Sequence, residues 1–221
     1  MRPDILFVLA GECARIAEVL SGLRSADLTR PTRCPPWDVK ELGAHLWNAL
    51  ERLPSSLAEP APPVATADAV TYWRAYDPVV DGPSVSARSA EVAARFADGA
   101  ELARSFDEHW QGCVEAARAH DPSRLVRSRV ADLRLDEFAA TRTLEAAVHG
   151  LDLARALERE PWITPAAADV TVGILAALLG DDPPARWDDL AFIEIGTGRR
   201  GLDEQDLATL GPAASRLPLL A

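Results

Sequence analysis

Glu145 and His149 lie four residues apart in a stretch with helical periodicity. At this spacing two side chains share one helix face, with Cβ atoms roughly 6 Å apart, so both can reach one ion. A carboxylate oxygen and a neutral imidazole nitrogen suit Zn²⁺. A Glu/His pair at this spacing is also common as a plain surface interaction. The motif alone therefore leaves both interpretations open.

His45 is a third potential ligand, because it lies beside Leu42 and Leu46 on the apolar side of another predicted helix. The alternative is a core histidine that is hydrogen-bonded to a backbone carbonyl. The other two histidines, His109 and His120, stand among acids and arginines. We expect these two to be solvated.

Asp152 and two cysteines are further candidates for chemistry. Asp152 follows His149 by three residues and is expected either to orient that histidine by a hydrogen bond or to be an exposed acid. Cys34 and Cys113 are potential nucleophiles, but no histidine partner is identifiable for either. We expect both to be buried or partly buried small residues.

Apolar residues recur at helical spacing through most of the chain, which predicts a helical bundle. The predicted helices cover residues 5–23, 38–53, 86–119, 136–157 and 164–180. Asp38 and Glu41 fit a capping box at the start of the second helix, and Pro54 is expected to end it. The proline-rich residues 54–83 predict a long crossover connection, with Tyr72 among the aromatic residues that attach it to the bundle.

Four principal helices with one long crossover predict a mainly α fold, a four-helix bundle over residues 1–180. Residues 181–221 are predicted to form a short C-terminal α/β appendage. Its strand is expected over residues 190–195, and a short helix is expected from Asp203.

Two segments resemble the mycothiol-dependent maleylpyruvate isomerase family, which belongs to the DinB-like superfamily of metal-binding helical bundles. Residues 34–46 (CPPWDVKELGAHL) resemble its proline-tryptophan turn and metal-histidine helix, and residues 142–152 (RTLEAAVHGLD) resemble its second metal segment. The resemblance covers roughly residues 5 to 180. It implies a DinB-like bundle in which three side chains hold one divalent cation: His45, Glu145 and His149.

Three protein ligands would leave a fourth position for water or substrate, as in catalytic sites. Zinc is the expected metal, although nickel, iron and cobalt accept the same ligands. The resemblance also implies mycothiol as the thiol cosubstrate. Because a coordinating thiol loses its proton, the thiolate can add to a double bond in an isomerase or displace a leaving group in an S-transferase.

The C-terminal region departs from the family pattern. Family isomerases carry a fuller C-terminal α/β domain with an arginine that helps to bind the anionic substrate, whereas this chain keeps only residues 192–200. Arg199 either takes the part of that arginine or is an ordinary surface residue. Asp152 and Arg199 are thus the candidate catalytic residues, and the short tail puts maleylpyruvate itself in question.

The amino-acid composition limits the kinds of partner that the protein is expected to bind. The net charge of −11 opposes binding to nucleic acid or anionic membranes, and no segment approaches the ~20 apolar residues of a membrane span. Three cysteines without a CxxC pair favour a reducing compartment, so we expect a cytoplasmic protein. A small-molecule substrate and a low-molecular-weight thiol are the expected partners, and a homodimer is one option for the assembly.

Two other functions fit the same residues. One is a thiol-independent, metal-dependent lyase or hydrolase of specialised metabolism. The other is a non-catalytic, metal-stabilised binding module, which predicts no small-molecule cavity at the metal and a large loss of stability on chelation.

Overall fold

A computed structural model describes residues 4–220 of the chain. Within this range the helices are α1 (Ile5–Ser21), α2 (Val39–Ala58), α3 (Ala69–Ala75), α4 (Pro78–Ala93), α5 (Gly99–Arg118), α6 (Leu135–Ala156), α7 (Pro165–Leu179), α8 (Asp189–Gly196) and α9 (Glu204–Leu210). Strands β1 (Leu125–Arg127) and β2 (Asp132–Arg134) form an antiparallel hairpin between α5 and α6. None of these helices has the length and apolar character that a membrane span requires.

Helices α1, α2, α5 and α6 form the bundle, and each of α1 and α2 packs against both α5 and α6. Their apolar stripes meet in one buried core, whose members include Leu9, Ile16, Leu42, Leu53, Phe106 and Phe138. The crossover from α2 to α5 carries α3 and α4, and α4 packs along α2. The predicted mainly α bundle is confirmed.

Local sequence signals fix several helix ends. The Asp38 side chain accepts a hydrogen bond from the backbone N–H of Glu41, and the Glu41 side chain accepts one from the backbone N–H of Asp38, as the predicted capping box requires. Thr164 caps α7. Gly180 ends it in the left-handed region (φ 71°), which glycine adopts without a Cβ penalty.

Helix α2 continues past Pro54 to Ala58, so the prediction that Pro54 ends it is wrong. A proline this close to a helix end removes one backbone hydrogen bond, and the buried faces of the last turn outweigh that loss. Leu53 is fully buried, and the buried Ser56 hydroxyl donates to the Leu53 carbonyl at 2.8 Å.

The predicted helix over residues 86–119 is two helices, α4 and α5, separated by residues 94–98. Asp98 accepts a hydrogen bond from the Glu101 N–H and is the N-cap of α5. Phe96 is buried in the break, and its carbonyl accepts a hydrogen bond from Lys40 of α2. The break lets both helices pack against α2.

The strand predicted over residues 190–195 is wrong, because these residues form α8. Asp188 caps the helix by accepting the Ala191 N–H at 2.8 Å, and Phe192 and Ile193 are buried against α7 and α6. A short apolar run fits a strand or a buried helix equally well. The β1–β2 hairpin was not predicted, whereas the helix after Asp203 is confirmed as α9.

Phe106→Ala tests the bundle core, because Phe106 is fully buried. We expect a loss of about 3–5 kcal/mol in the free energy of unfolding, measured by urea titration. Phe7→Ala is the matched control, because Phe7 is 69% exposed and its truncation should change stability by about 0.5 kcal/mol or less. Equal losses in the two variants would contradict the described core.

Candidate metal centre

Helices α2 and α6 bring His45, Glu145 and His149 together. The three positions lie on facing sides of these helices, and all three side chains are largely buried. One oxygen of Glu145, Oε2, lies 3.2 Å from Nε2 of His45 and 3.3 Å from Nε2 of His149. One ligand atom from each residue lies within 4.8 Å of the other two.

These separations suit a tetrahedral ion. Ligand atoms about 2.0 Å from one zinc ion, at tetrahedral angles, lie about 3.3 Å apart. The two Nε2–Oε2 distances of 3.2 and 3.3 Å match that value. The donor set of two imidazole nitrogens and one carboxylate oxygen therefore fits a divalent cation with one position open.

The opposite ring nitrogen of each histidine has its own partner. The buried Ser89 hydroxyl of α4 donates to the Val85 carbonyl at 3.0 Å, so its oxygen is left to accept from Nδ1 of His45 at 3.4 Å. Nδ1 of His149 donates to Oδ2 of Asp152 at 3.0 Å. A divalent cation that displaces the protons between Nε2 and Glu145 would leave each ring protonated on Nδ1 alone, which is the form of a metal-ligating histidine.

The local electrostatics keep the Glu145 carboxylate ionised. Burial alone would raise the pKa of Glu145, but hydrogen bonds from His149 and His45 hold it well below its usual value. Burial lowers the pKa of His45. Burial acts in the same direction on His149, but hydrogen bonds to Asp152 and Glu145 outweigh it and raise that pKa well above its usual value. A negative carboxylate thus persists here and is balanced by positive charge beside it.

Asp152 is fully buried and is not an exposed acid on the helix face. Burial alone would raise the pKa of Asp152, but hydrogen bonds from His149 and Arg199 lower it. Arg199 donates to both carboxylate oxygens, at 2.8 and 3.2 Å, and Arg33 donates to Oδ1 at 3.1 Å. Arg199 is therefore not a free surface arginine, because it is hydrogen-bonded to Asp152, which in turn is hydrogen-bonded to His149.

Cys34 lies in the same network and is partly buried, as predicted. Its sulfur is 3.1 Å from Oδ2 of Asp152 and 3.8 Å from Nδ1 of His149. This histidine neighbour was not predicted, because 115 positions separate the two residues in the chain. Ser89 and Arg33 were also missed, since neither belongs to a recognisable motif.

His109 does not fit its predicted role. It is not solvated, because its ring stacks on Trp47 with centroids 3.7 Å apart and its side chain is only 14% exposed. The packing of its own helix, α5, against Trp47 of α2 buries it, which the charged residues around it in sequence did not indicate. His120 is exposed, as predicted.

A cavity of about 750 Å³ adjoins the three converging residues, and Trp37, Tyr72 and Tyr76 contribute to its wall. Several arginines also line it: Arg33, Arg52, Arg88, Arg129, Arg142 and Arg199. Burial lowers the pKa of Arg88, and repulsion from the nearby charges of Arg129 and Arg52 lowers it further. Asp81 also lines the cavity and pairs with Arg129 at 3.3 Å. Arg52 and Arg88 therefore supply the positive charge of one wall, in a chain whose net charge is −11.

The family model described as "Mycothiol maleylpyruvate isomerase N-terminal domain" matches residues 9–154, a stretch that contains all three converging residues. The chain belongs to this family. The match confirms the family indicated by the two sequence motifs. No curated protein and no solved structure gives a significant match to the chain.

Asp152→Asn tests the support of His149. Removing the carboxylate that accepts the Nδ1 proton is expected to lower zinc affinity about 10–100-fold, as measured by competition with a chromophoric chelator. Ser89→Ala, which removes the acceptor for His45, should act in the same direction. Asp169→Asn on the exposed face of α7 is the matched control. Unchanged affinity in both site variants, with intact thermal melting, would contradict the assigned tautomers.

Proposed function

We propose that the protein is a divalent-metal-dependent enzyme that activates a low-molecular-weight thiol, mycothiol, for isomerisation or S-transfer on a small electrophilic substrate. The observation that carries the proposal is the convergence of His45, Glu145 and His149 beside a cavity. The family supports the thiol, because its description names mycothiol and an isomerase.

His45, Glu145 and His149 are the proposed ligands, and zinc is the proposed metal. When bound, such a cation stabilises a thiolate far below the free thiol pKa of about 8.5. Ser89 and Asp152 hold the Nδ1 protons of the two histidines and so fix both rings in the ligating orientation. We assign Asp152 a positioning role, because it contacts His149 and Arg199 rather than the open cavity.

The positive wall of the cavity favours an electrophile with an anionic group. Arg88 and Arg52 lie on α4 and α2, and both line the cavity. A guanidinium pairs with a carboxylate in a planar, bidentate geometry, which orients the substrate. We propose that Arg199 cannot supply the positive charge for the substrate alone, because Asp152 neutralises it. Arg199 instead lines the cavity next to the sulfur of Cys34, 3.5 Å away.

Two reaction paths are open to a thiolate held here. In isomerisation the sulfur adds to an activated double bond, rotation follows about the resulting single bond, and the thiolate leaves as the double bond re-forms. In S-transfer the sulfur displaces a leaving group and stays attached to the substrate. The cavity supports either path over the non-catalytic binding module, which predicts no cavity beside the metal.

We propose that the enzyme is cytoplasmic, because thiols stay reduced in the cytoplasm. All three cysteines are free thiols, which is typical of such a compartment. The strongly negative net charge supports small-molecule partners rather than nucleic acid.

His45→Ala tests the proposed function. Titrating mycothiol into the zinc-loaded protein is expected to produce thiolate absorbance in the ultraviolet at a pH well below the free thiol pKa of about 8.5. His45→Ala should lose this signal together with zinc bound at this site. His120→Ala, which changes an exposed histidine, should keep both.

The other outcomes separate the alternatives. A zinc-loaded protein that leaves the thiol unperturbed, yet turns over a substrate without it, would favour the thiol-independent lyase or hydrolase. A protein that neither perturbs the thiol nor turns over a substrate, but melts at much lower temperature after chelation, would favour the binding module.

A further inference from the structure

A second group of potential ligands lies between α2 and α5, outside the cavity. Glu51 of α2 and His109 and Cys113 of α5 form this group, which we term the α2–α5 cluster. None of the three lines the cavity of the metal centre. His109 and Cys113 are four residues apart, so both side chains lie on one helix face.

The ligand atoms of the α2–α5 cluster converge on one ring nitrogen. Nε2 of His109 lies 3.5 Å from Oε2 of Glu51 and 3.4 Å from Sγ of Cys113. All three ligand atoms lie within 4.8 Å of one another. For a tetrahedral zinc ion with nitrogen at about 2.0 Å and sulfur at about 2.3 Å, the edges are about 3.3–3.5 Å long. The two separations from Nε2 of His109, 3.5 and 3.4 Å, have this length.

Hydrogen bonds through Nε2 of His109 cannot join all three groups at once. A ring nitrogen carries either a proton or a lone pair, so Nε2 cannot donate to Glu51 and also accept from the Cys113 thiol. One of the two contacts is therefore left without a proton between its atoms. A cation is able to bond to the carboxylate, the imidazole and the sulfur at once.

The surroundings hold the group in place. Trp47 stacks on the His109 ring at an interplanar angle of 11°, which fixes the ring plane. Cys113 is 2% exposed, whereas the Glu51 side chain is 42% exposed. His109 and Cys113 are thus packed against the bundle, and solvent reaches the cluster at Glu51.

We propose that Glu51, His109 and Cys113 form a second divalent-metal site that joins α2 to α5. Imidazole, thiolate and carboxylate together suit zinc, with Co²⁺ as its spectroscopic substitute. The site does not depend on the thiol chemistry proposed for the cavity. Because it links two bundle helices, metal bound here is expected to stabilise the fold.

Cobalt titration of the full-length protein tests the proposal. Cobalt bound to a thiolate gives a sulfur-to-metal charge-transfer band in the near ultraviolet. We expect this band in the wild type and in His45→Ala, which disables the first site. Cys113→Ser should lose it, whereas Cys34→Ser, which changes the cysteine near the first site, should keep it. Bound cobalt in His45→Ala should be one equivalent, falling to none when Cys113→Ser is added.

A second pair of variants guards against a folding artefact in Cys113→Ser. Glu51→Gln keeps the buried thiol and should weaken the cobalt affinity of the His45→Ala protein at least 10-fold, whereas Glu108→Gln at an exposed neighbour should not. Absence of the band in the wild type, its persistence in Cys113→Ser, or its loss in Cys34→Ser would each overturn the proposal.

Discussion

The buried carboxylate of Glu145, placed between two imidazole rings, is the interaction on which the site depends. A carboxylate taken out of water is costly unless positive charge and hydrogen-bond donors surround it. Here both rings direct Nε2 at the same oxygen, at 3.2 and 3.3 Å. The packing of α2 against α6 sets these distances, so a change in the bundle core that moves either helix also moves these side chains.

The groups that support the histidines come from distant parts of the chain. Ser89 reaches His45 from α4 in the crossover, and Arg199 reaches Asp152 from the turn after α8. The C-terminal segment therefore contributes to the site even though the family match ends at residue 154. In metalloproteins such supporting groups orient the ligands, and their loss weakens metal binding without removing a ligand.

Sequence predicted the parts of this arrangement that are local or periodic. The i,i+4 pair on α6, the capping box of α2 and the proline-start, glycine-end signals of α7 each lie within one helix. Predictions from the sequence were wrong where tertiary packing determines the secondary structure or the burial of a residue. Residues 190–195 form a helix rather than a strand, because their apolar side chains pack against α7. His109 is buried rather than solvated, because Trp47 stacks on its ring. Ser89 and Arg33 had no local signal, since only the crossover and the proline-tryptophan turn bring them to the histidines.

Diffraction from zinc-soaked crystals, collected on both sides of the zinc absorption edge, would show whether His45, Glu145 and His149 bind one metal ion. We expect an anomalous peak about 2.0–2.2 Å from each of three atoms: Nε2 of His45, Nε2 of His149 and an oxygen of Glu145. Well-ordered side chains at these three positions with no anomalous peak between them, at saturating zinc, would contradict it.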